Sequence, residues 1–477
     1  MNTARLNNFL FGLVLALIVP SLLWALSIDA WWPLSIPLLI LLAFIGWHRP
    51  SWLMCLLWIS IPLSVEYSFS DQLGTDLPDE PLMLAMTVLS LFYLIARGRP
   101  FSSALWRHPL FICFLLWMGW MGVACLLSTA PTLSIKFLLA KSWYTGAFFL
   151  APLIWLRDRK SIEQFLYFLF IPLFLIALLS LIRHAFHGFR FIDSSNVVQP
   201  FFRNHVVYSA MLVTLVPVLF FSWRFTSYKK SWIAALILIL TALFFSYARG
   251  AWLALLVAAI AYGLIRKRAL FYAYLVSVLL GVMAILWLKQ EDRYLSYAPD
   301  YKTTIFHNEF QDHWRATYEG KDVSTVERFY RWIAGVRMVE KRPWTGFGPA
   351  SFYVSYKPFT VPAYKTWVSD NTDRSTVHNY FLLTAVEQGI PGLIIFLILF
   401  GSILYYAERY YHTHQKDWSR QLAAGVGVVT VMLGVVNFWS DLIETDKFGS
   451  LFFLSISLLL VLHQKRSSIG SDIERVA

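Results

Sequence analysis

Residues 375–400 read STVHNYFLLTAVEQGIPGLIIFLILF. The second half of this stretch is apolar and belongs to a block of membrane-spanning length at 384–406. Its first residues close a polar, aromatic-rich connection that begins near 289. One histidine, His378, stands at the junction. What it does there depends on the side of the membrane that the connection occupies.

The composition points the same way for the rest of the chain. Of 477 residues, 58% are hydrophobic and 14% charged, with a mean hydropathy of +0.58. The apolar residues fall into fourteen blocks, near 9–27, 31–47, 51–68, 81–97, 108–128, 133–155, 162–182, 206–223, 231–247, 251–265, 270–288, 384–406, 420–439 and 447–463. This predicts an all-α polytopic membrane protein, a bundle of twelve to fourteen transmembrane helices with one large, partly helical loop. The 39 Phe, 23 Tyr and 21 Trp suit aromatic belts at both interfaces. Cys55, Cys113 and Cys125 all lie inside apolar blocks and read as small core residues. The run 9–26 follows Arg5 without a small-x-small cleavage site, so it reads as an uncleaved first helix.

With the amino terminus placed in the cytoplasm, alternate connections collect the basic residues: Arg97, Arg99 and Arg107; Arg157, Arg159 and Lys160; Arg224, Lys229 and Lys230; Arg266, Lys267 and Arg268; Arg409, Lys416 and Arg420; Lys465 and Arg466. The opposite connections at 71–80 (DQLGTDLPDE) and 440–446 (SDLIETD) are acidic. Both ends are therefore expected inside. The net charge of +12 is accounted for by this sorting, and nucleic acid is not an expected partner. Three segments result: helices with short loops at 1–288, a large outer loop at 289–383, and helices with a cytoplasmic tail at 384–477.

Two outer segments break the charge bias. Residues 183–205 carry three arginines and three histidines, and 289–377 is also cation-rich. Cations kept on that side suggest a bound anion; a loop resting on lipid headgroups is the alternative. Arg249 lies in SYARGAW (246–252) between two adjoining apolar blocks, where an arginine costs about 2.5 kcal/mol or more unless it faces a cavity or a partner. It can instead snorkel to the interface. Lys136 and Lys141 make a second case for an outward-opening cationic cavity.

In the long loop, Ser324 with Glu327 has the capping-box spacing. The helix so started carries Arg328 and Arg331, then Val336 and Val339, and stops near Pro343. Gly346 and Gly348 follow, permitting a tight turn and close backbone approach to a ligand. Ser375 or Thr376 caps the helix that His378 opens. The positive end of that helix disfavours imidazolium, and a neutral imidazole is what a general base requires. Glu387 follows, and Pro391 between Gly389 and Gly392 marks a kink or break.

These residues carry a resemblance. ERFYRWIAGVRMVEKRPWTGFGPASF (327–352), HNYFLLTAVEQGIPGLIIF (378–396) and SYARGAW upstream resemble the O-antigen ligase and Wzy-type polymerase superfamily across roughly 201–400. The resemblance implies a membrane-embedded, GT-C-like glycosyltransferase without a metal or other cofactor. Its donor would be a glycan on undecaprenyl diphosphate at the periplasmic face of the bacterial inner membrane. The acceptor would be a lipid A–core sugar hydroxyl in a ligase, or a second lipid-linked repeat in a polymerase; membrane lipids complete the expected partners. By motif position, Arg249, Arg328 and His378 correspond to active-site residues. Arg203, His205, Arg331, Lys136, Trp344, Gly346 and Gly348 are candidates for substrate contacts, and Trp332, Trp344 and Tyr353 for sugar stacking. A lipid-linked glycan flippase is the alternative outside enzymes. Transporters of that kind show internal repeats, and none is found here.

Overall fold

The computed structural model describes residues 3–28, 32–70, 73–97, 101–297, 323–365, 369 and 376–476. Each of the fourteen apolar blocks is largely helical, although the one at 51–68 ends in strand. The first are α1 (Thr3–Ser27), α2 (Ser35–His48), α3 (Pro50–Leu63) and α4 (Asp79–Arg97). The single turn α5 (Ser103–Trp106) precedes α6 (Pro109–Leu126) and α7 (Pro131–Tyr144), which runs through a π-helical stretch (Thr145–Leu150) into α8 (Ala151–Trp155). Then come α9 (Arg159–Phe186), α10 (His205–Ser222), α11 (Lys229–Phe245), α12 (Arg249–Arg266) and α13 (Leu270–Lys289). The long loop contributes α14 (Val323–Lys341) and α15 (Phe352–Ser355). The chain finishes with α16 (Tyr380–Thr413), α17 (Asp417–Phe438) and α18 (Asp446–Val476).

Among the described residues, ten helices are long and apolar enough to cross a membrane, fewer than the twelve to fourteen expected. The shortfall has a geometric origin. Helices α2 and α3 have 14 residues each, about 21 Å at 1.5 Å per residue, against a hydrocarbon core of about 30 Å. Helix α11 has 17 residues, and α1 contributes an apolar stretch of Ala16–Ser27. Part of the acidic connection 71–80 is strand: β1 (Val65–Ser70) pairs antiparallel with β2 (Leu73–Leu77).

The helices form two compact units. The first comprises Met1–Pro100 and Trp143–Ile171. Its centre is Trp58, whose ring meets those of Phe148 and Phe165 edge-on. There the π-helical stretch passes α4 so closely that a Cβ on Gly146 would lie 2.3 Å from Thr87. The Thr87 hydroxyl donates to the Trp143 carbonyl at 3.0 Å, supporting backbone that the wider helix leaves unpaired.

The second unit comprises Phe101–Ser142 and Pro172–Ala477. Helix α18 is its axis: 94% of Asp446–Gln464 is buried inside the protein, against 6% of Leu270–Tyr294 at the rim. Rings from three helices interlock around the axis, Trp117 of α6 touching Phe396 of α16 and Phe452 and Phe453 of α18. Small residues let the other helices close up, as expected where lipid offers no hydrophobic drive between helices. Ala251, Ala254, Ala258 and Ala261 line the buried face of α12, which packs on α17. The glycines of α17 make room for Phe221 (Gly425), Ala407 (Gly427) and Phe400 (Gly434).

The element that positions the site is the break in α16. Gly389 has φ 71° and ψ 179°, a conformation essentially reserved for glycine. Inside a membrane span a backbone group freed by such a break needs a protein partner, and the carbonyls of 386–388 and the N–H of 390 find one. The Val386 and Glu387 carbonyls accept from the Phe347 and Gly348 N–H groups, both at 2.9 Å. The Trp120 indole donates to the Gln388 carbonyl at 2.8 Å, in space left by Gly392. Past the break, Ile390 N–H donates to the Pro343 carbonyl at 2.7 Å. The Glu387 carboxylate accepts from Ala350 N–H at 2.9 Å and Phe352 N–H at 3.2 Å, capping α15. The motif Glu-x-Gly-x-x-Gly thus locks residues 343–352 onto the broken helix.

A Cβ at position 389 would lie 2.5 Å from the Trp344 carbonyl oxygen. Gly389→Ala is expected to cost about 1–3 kcal/mol in backbone strain alone and to lower the thermal unfolding midpoint of the detergent-solubilised protein. An unchanged midpoint would remove the break from this role.

Candidate functional site

The site is built where the loop helix, the start of α16 and the connection between α17 and α18 meet. His378 lies just before α16 rather than in its first turn. The cap is Asn379, whose side chain accepts from Leu382 N–H at 2.9 Å. Of the two predicted caps, Ser375 lies outside the described residues, and the Thr376 hydroxyl accepts from His378 N–H at 3.4 Å. His378 has φ +53°, unusual for a residue with a Cβ. Its neighbours hold it there. The Trp332 indole of α14 donates to the Val377 carbonyl at 3.0 Å, and Tyr380 N–H donates to the Ser440 carbonyl at 3.0 Å.

The imidazole faces a carboxylate. His378 Nδ1 lies 3.9 Å from Asp441 Oδ1, with side chains 34% and 13% exposed. Withdrawal from water, reinforced by the Arg328 and Arg331 guanidiniums, lowers the His378 pKa to about 3. Burial lifts Asp441 to about 6; the Thr376 hydroxyl and Arg331 oppose the rise, and Glu444 adds to it. At neutral pH the imidazole is therefore uncharged beside an ionised carboxylate. The two become an ion pair only when the imidazole takes a proton.

Arg328, Arg331 and Trp332 share one face of α14 by their three- and four-residue spacing. Arg331 is tied down, its Nη2 3.1 Å from Glu327 Oε2 with both side chains nearly buried. Glu327 also accepts from the Ser369 hydroxyl. The capping box expected of Glu327 with Ser324 rests on a side chain outside the described residues. Trp332 packs its ring on Trp439, 5.7 Å between centroids at 31°, and on Phe438.

The remaining candidates divide. His412 Nε2 meets the Ile265 carbonyl at the far end of α12, so Arg249, the first residue of that helix, lies at the His378 end of the bundle. Arg203 is exposed beside Phe202, whose ring lies under Lys447 of α18 at 5.0 Å. His205 is engaged with the Ser195 hydroxyl at 2.8 Å. Most cations of 183–205 are used inside that segment: Arg183 on the Gln199 carbonyl, His184 on the Arg190 carbonyl at 3.0 Å, and Arg190 on Asp193 at 2.8 Å.

Lys136 and Lys141 do not share a cavity. Five residues apart, they point about 140° away from each other around the helix. Lys136 is exposed, whereas Lys141 is buried 2.9 Å from Glu444. Trp344 is 73% exposed. Tyr353 packs against Tyr356. Gly346 and Gly348, read as a place for a ligand, are approached by the chain itself. A Cβ would lie 2.5 Å from the Glu387 backbone at one and 2.0 Å from the Ser128 hydroxyl at the other.

Asp441 is the participant the sequence reading missed. Its stretch, 440–446, registers there only as an acidic marker of the outer side. The usable signal was three acids in a seven-residue connection between two spans, where a carboxylate can meet an outer histidine.

Residues 234–397 match the family model described as O-antigen ligase, and no curated protein matches the chain. The matched stretch contains Arg249, Arg328 and His378 and the whole of the α16 break. Arg203, His205, Lys136 and Asp441 lie outside it. The segment that carries the arginines, the histidine and the locked helix break is thus similar to the O-antigen ligase family over about a third of the chain.

Proposed function

We propose that this protein is a glycosyltransferase that moves a polysaccharide from undecaprenyl diphosphate to a sugar hydroxyl of lipid A–core. It works at the periplasmic face of the bacterial inner membrane, with both chain ends in the cytoplasm. The observation that carries the reading is geometric: the His378 imidazole lies 3.9 Å from the Asp441 carboxylate, with the Arg328 and Arg331 guanidiniums close enough to disfavour its protonation.

In the proposed step the acceptor oxygen attacks the anomeric carbon as the bond from that carbon to the diphosphate oxygen breaks. The hydroxyl proton passes to His378. Because Nδ1 is turned toward Asp441, Nε2 is the atom left for the acceptor. Asp441 balances the imidazolium that forms, and the lipid diphosphate leaves with its negative charge. Guanidiniums suit that charge, since they stay protonated and fork onto phosphate oxygens. Preorganised in a partly dehydrated site, Arg328 and Arg249 would serve where other sugar transferases use a metal ion. One displacement from the face opposite the leaving group inverts the anomeric carbon. The exposed Arg203 is a secondary contact for the diphosphate or the acceptor.

The rival reading within the superfamily is a polymerase, with the same chemistry and a second lipid-linked repeat as acceptor. Lipopolysaccharide gels from cells lacking the protein, with lipid-linked intermediates extracted in parallel, separate the two. Bare lipid A–core beside long undecaprenyl-linked polymer is the expected result. Core capped with a single repeat means a polymerase, and an unchanged ladder sinks both readings.

Three outcomes are expected of the purified protein with a lipid-linked donor. His378→Ala inserts normally and loses at least about a hundredfold in turnover, the usual worth of a general base. Arg249→Lys keeps the charge but not the fork; tenfold or greater loss is expected, and wild-type turnover would return Arg249 to a snorkelling role. The pH profile carries the third. His378 is neutral above about pH 3, so the acid limb reports Asp441, which is ionised only above about pH 6. In Asp441→Asn the maximal rate falls and the limb near pH 6 disappears. A limb that stays in place would exclude Asp441.

A further inference from the structure

Lys141 stands in α7 with its side chain 2% exposed. A buried ammonium on an apolar helix is tolerated only with a partner, and Lys141 has two on one short turn. Its Nζ lies 2.9 Å from Glu444 Oε2 and donates to the Ile443 carbonyl at 3.2 Å. The turn, Leu442–Glu444, is gripped from a second direction by α17, where Asn437 Oδ1 accepts from Ile443 N–H at 3.0 Å. A third constraint comes from α18, since a Cβ on Gly449 would lie 2.3 Å from the Ile443 oxygen. The residue immediately before this turn is Asp441, 3.9 Å from His378.

We propose that Lys141 is a positioning residue for the transfer reaction: through Glu444 and the Ile443 carbonyl it holds the 442–444 turn so that Asp441 faces His378. The inference rests on the function proposed above. It explains a cation that the phosphate-binding reading leaves over, since Lys141 is turned inward to a carboxylate while Lys136 on the same helix is exposed. It also explains why a carboxylate and an ammonium are kept in the bundle at all. An apolar pair would pack as well but would not fix the direction of a turn by bonding both its backbone and its side chain.

Asp441 feels charged and titratable groups from each side. His378 and the Thr376 hydroxyl face it from the segment before α16, and Arg331 from α14. Glu444 lies on its own turn, and Glu387 of α16 is within electrostatic range. Lys141 acts on it through Glu444.

Steady-state kinetics across pH on Lys141→Met, Glu444→Gln and the double variant test the idea, with thermal midpoints in detergent as the folding control. Lys141→Met is expected to lose at least tenfold in kcat with KM for the lipid-linked donor within twofold of wild type. Glu444→Gln removes a negative charge that raises Asp441's affinity for its proton, so the acid limb should move to lower pH. The double variant should be no slower than the slower single variant, because the two side chains act as one device. A folded Lys141→Met with wild-type kcat and pH profile overturns the proposal, as does a loss carried entirely by KM. If Lys141→Met does not accumulate in membranes, Glu444→Gln decides alone, and an unmoved acid limb overturns it. Wild-type protein with no transfer from the donor refutes the function itself. An active wild type and a dead His378→Ala, beside indifferent Lys141 and Glu444 variants, refute only this inference.

Discussion

The structure around the site depends on one constraint: the backbone groups released where α16 breaks have no water to turn to. Glycine at 389 permits the break, and the break exposes carbonyls at 386–388 and an N–H at 390. Residues 343–352 and the Trp120 indole satisfy them. That requirement fastens a polar loop to a membrane helix more firmly than side-chain packing would, because each bond lost would leave a buried polar group unpaired. Gly346 and Gly348 are in the loop for the same reason. Their backbones must come within contact distance of Glu387 and Ser128, which a side chain would prevent.

With the loop locked, α14 is carried to a definite place. Its arginine face and Trp332 lie against the segment 376–380, and the 440–444 turn closes the other side. The imidazole therefore sits among two guanidiniums and a carboxylate, partly removed from water. In such a place a positive imidazole is costly while the site rests, and becomes tolerable as a proton arrives and negative charge develops on a departing group. The proposed transfer of a proton to His378 beside an anionic leaving group would use that electrostatic pattern. Asp441 resists ionisation through its own burial and the nearby Glu444. The arrangement thus stores unfavourable electrostatic energy at the site, offset by the packing and hydrogen bonds that surround it.

Much was legible in the linear chain because lipid imposes strong local rules. Apolar blocks of spanning length, each largely helical in the structure, follow from the need to satisfy the backbone internally. The break near Pro391 and the amphipathic helix carrying Arg328 and Arg331 follow from local spacing and from the conformational limits of glycine and proline. Helix lengths were less legible: the gap between the blocks at 31–47 and 51–68 marks the turn at Arg49, but hydropathy does not register that α2 starts only at Ser35 and that α3 ends at Leu63 before β1. The hairpin of β1 and β2 was missed because its alternation is short and lies in a charged connection.

The sequence by itself determined a helical membrane protein, the histidine at the mouth of α16 and the family motifs, since these rest on composition and on residues close together in the chain. Only the tertiary structure decided which charges act together. It paired Lys141 with Glu444 across some three hundred positions of sequence, turned Lys136 outward from the same helix, closed the glycine turn on the protein itself and set Asp441 opposite His378. The physical reason is that charge–charge energy depends on distance and on burial. Both are set by how helices pack, and neither is written in the order of residues along any one of them.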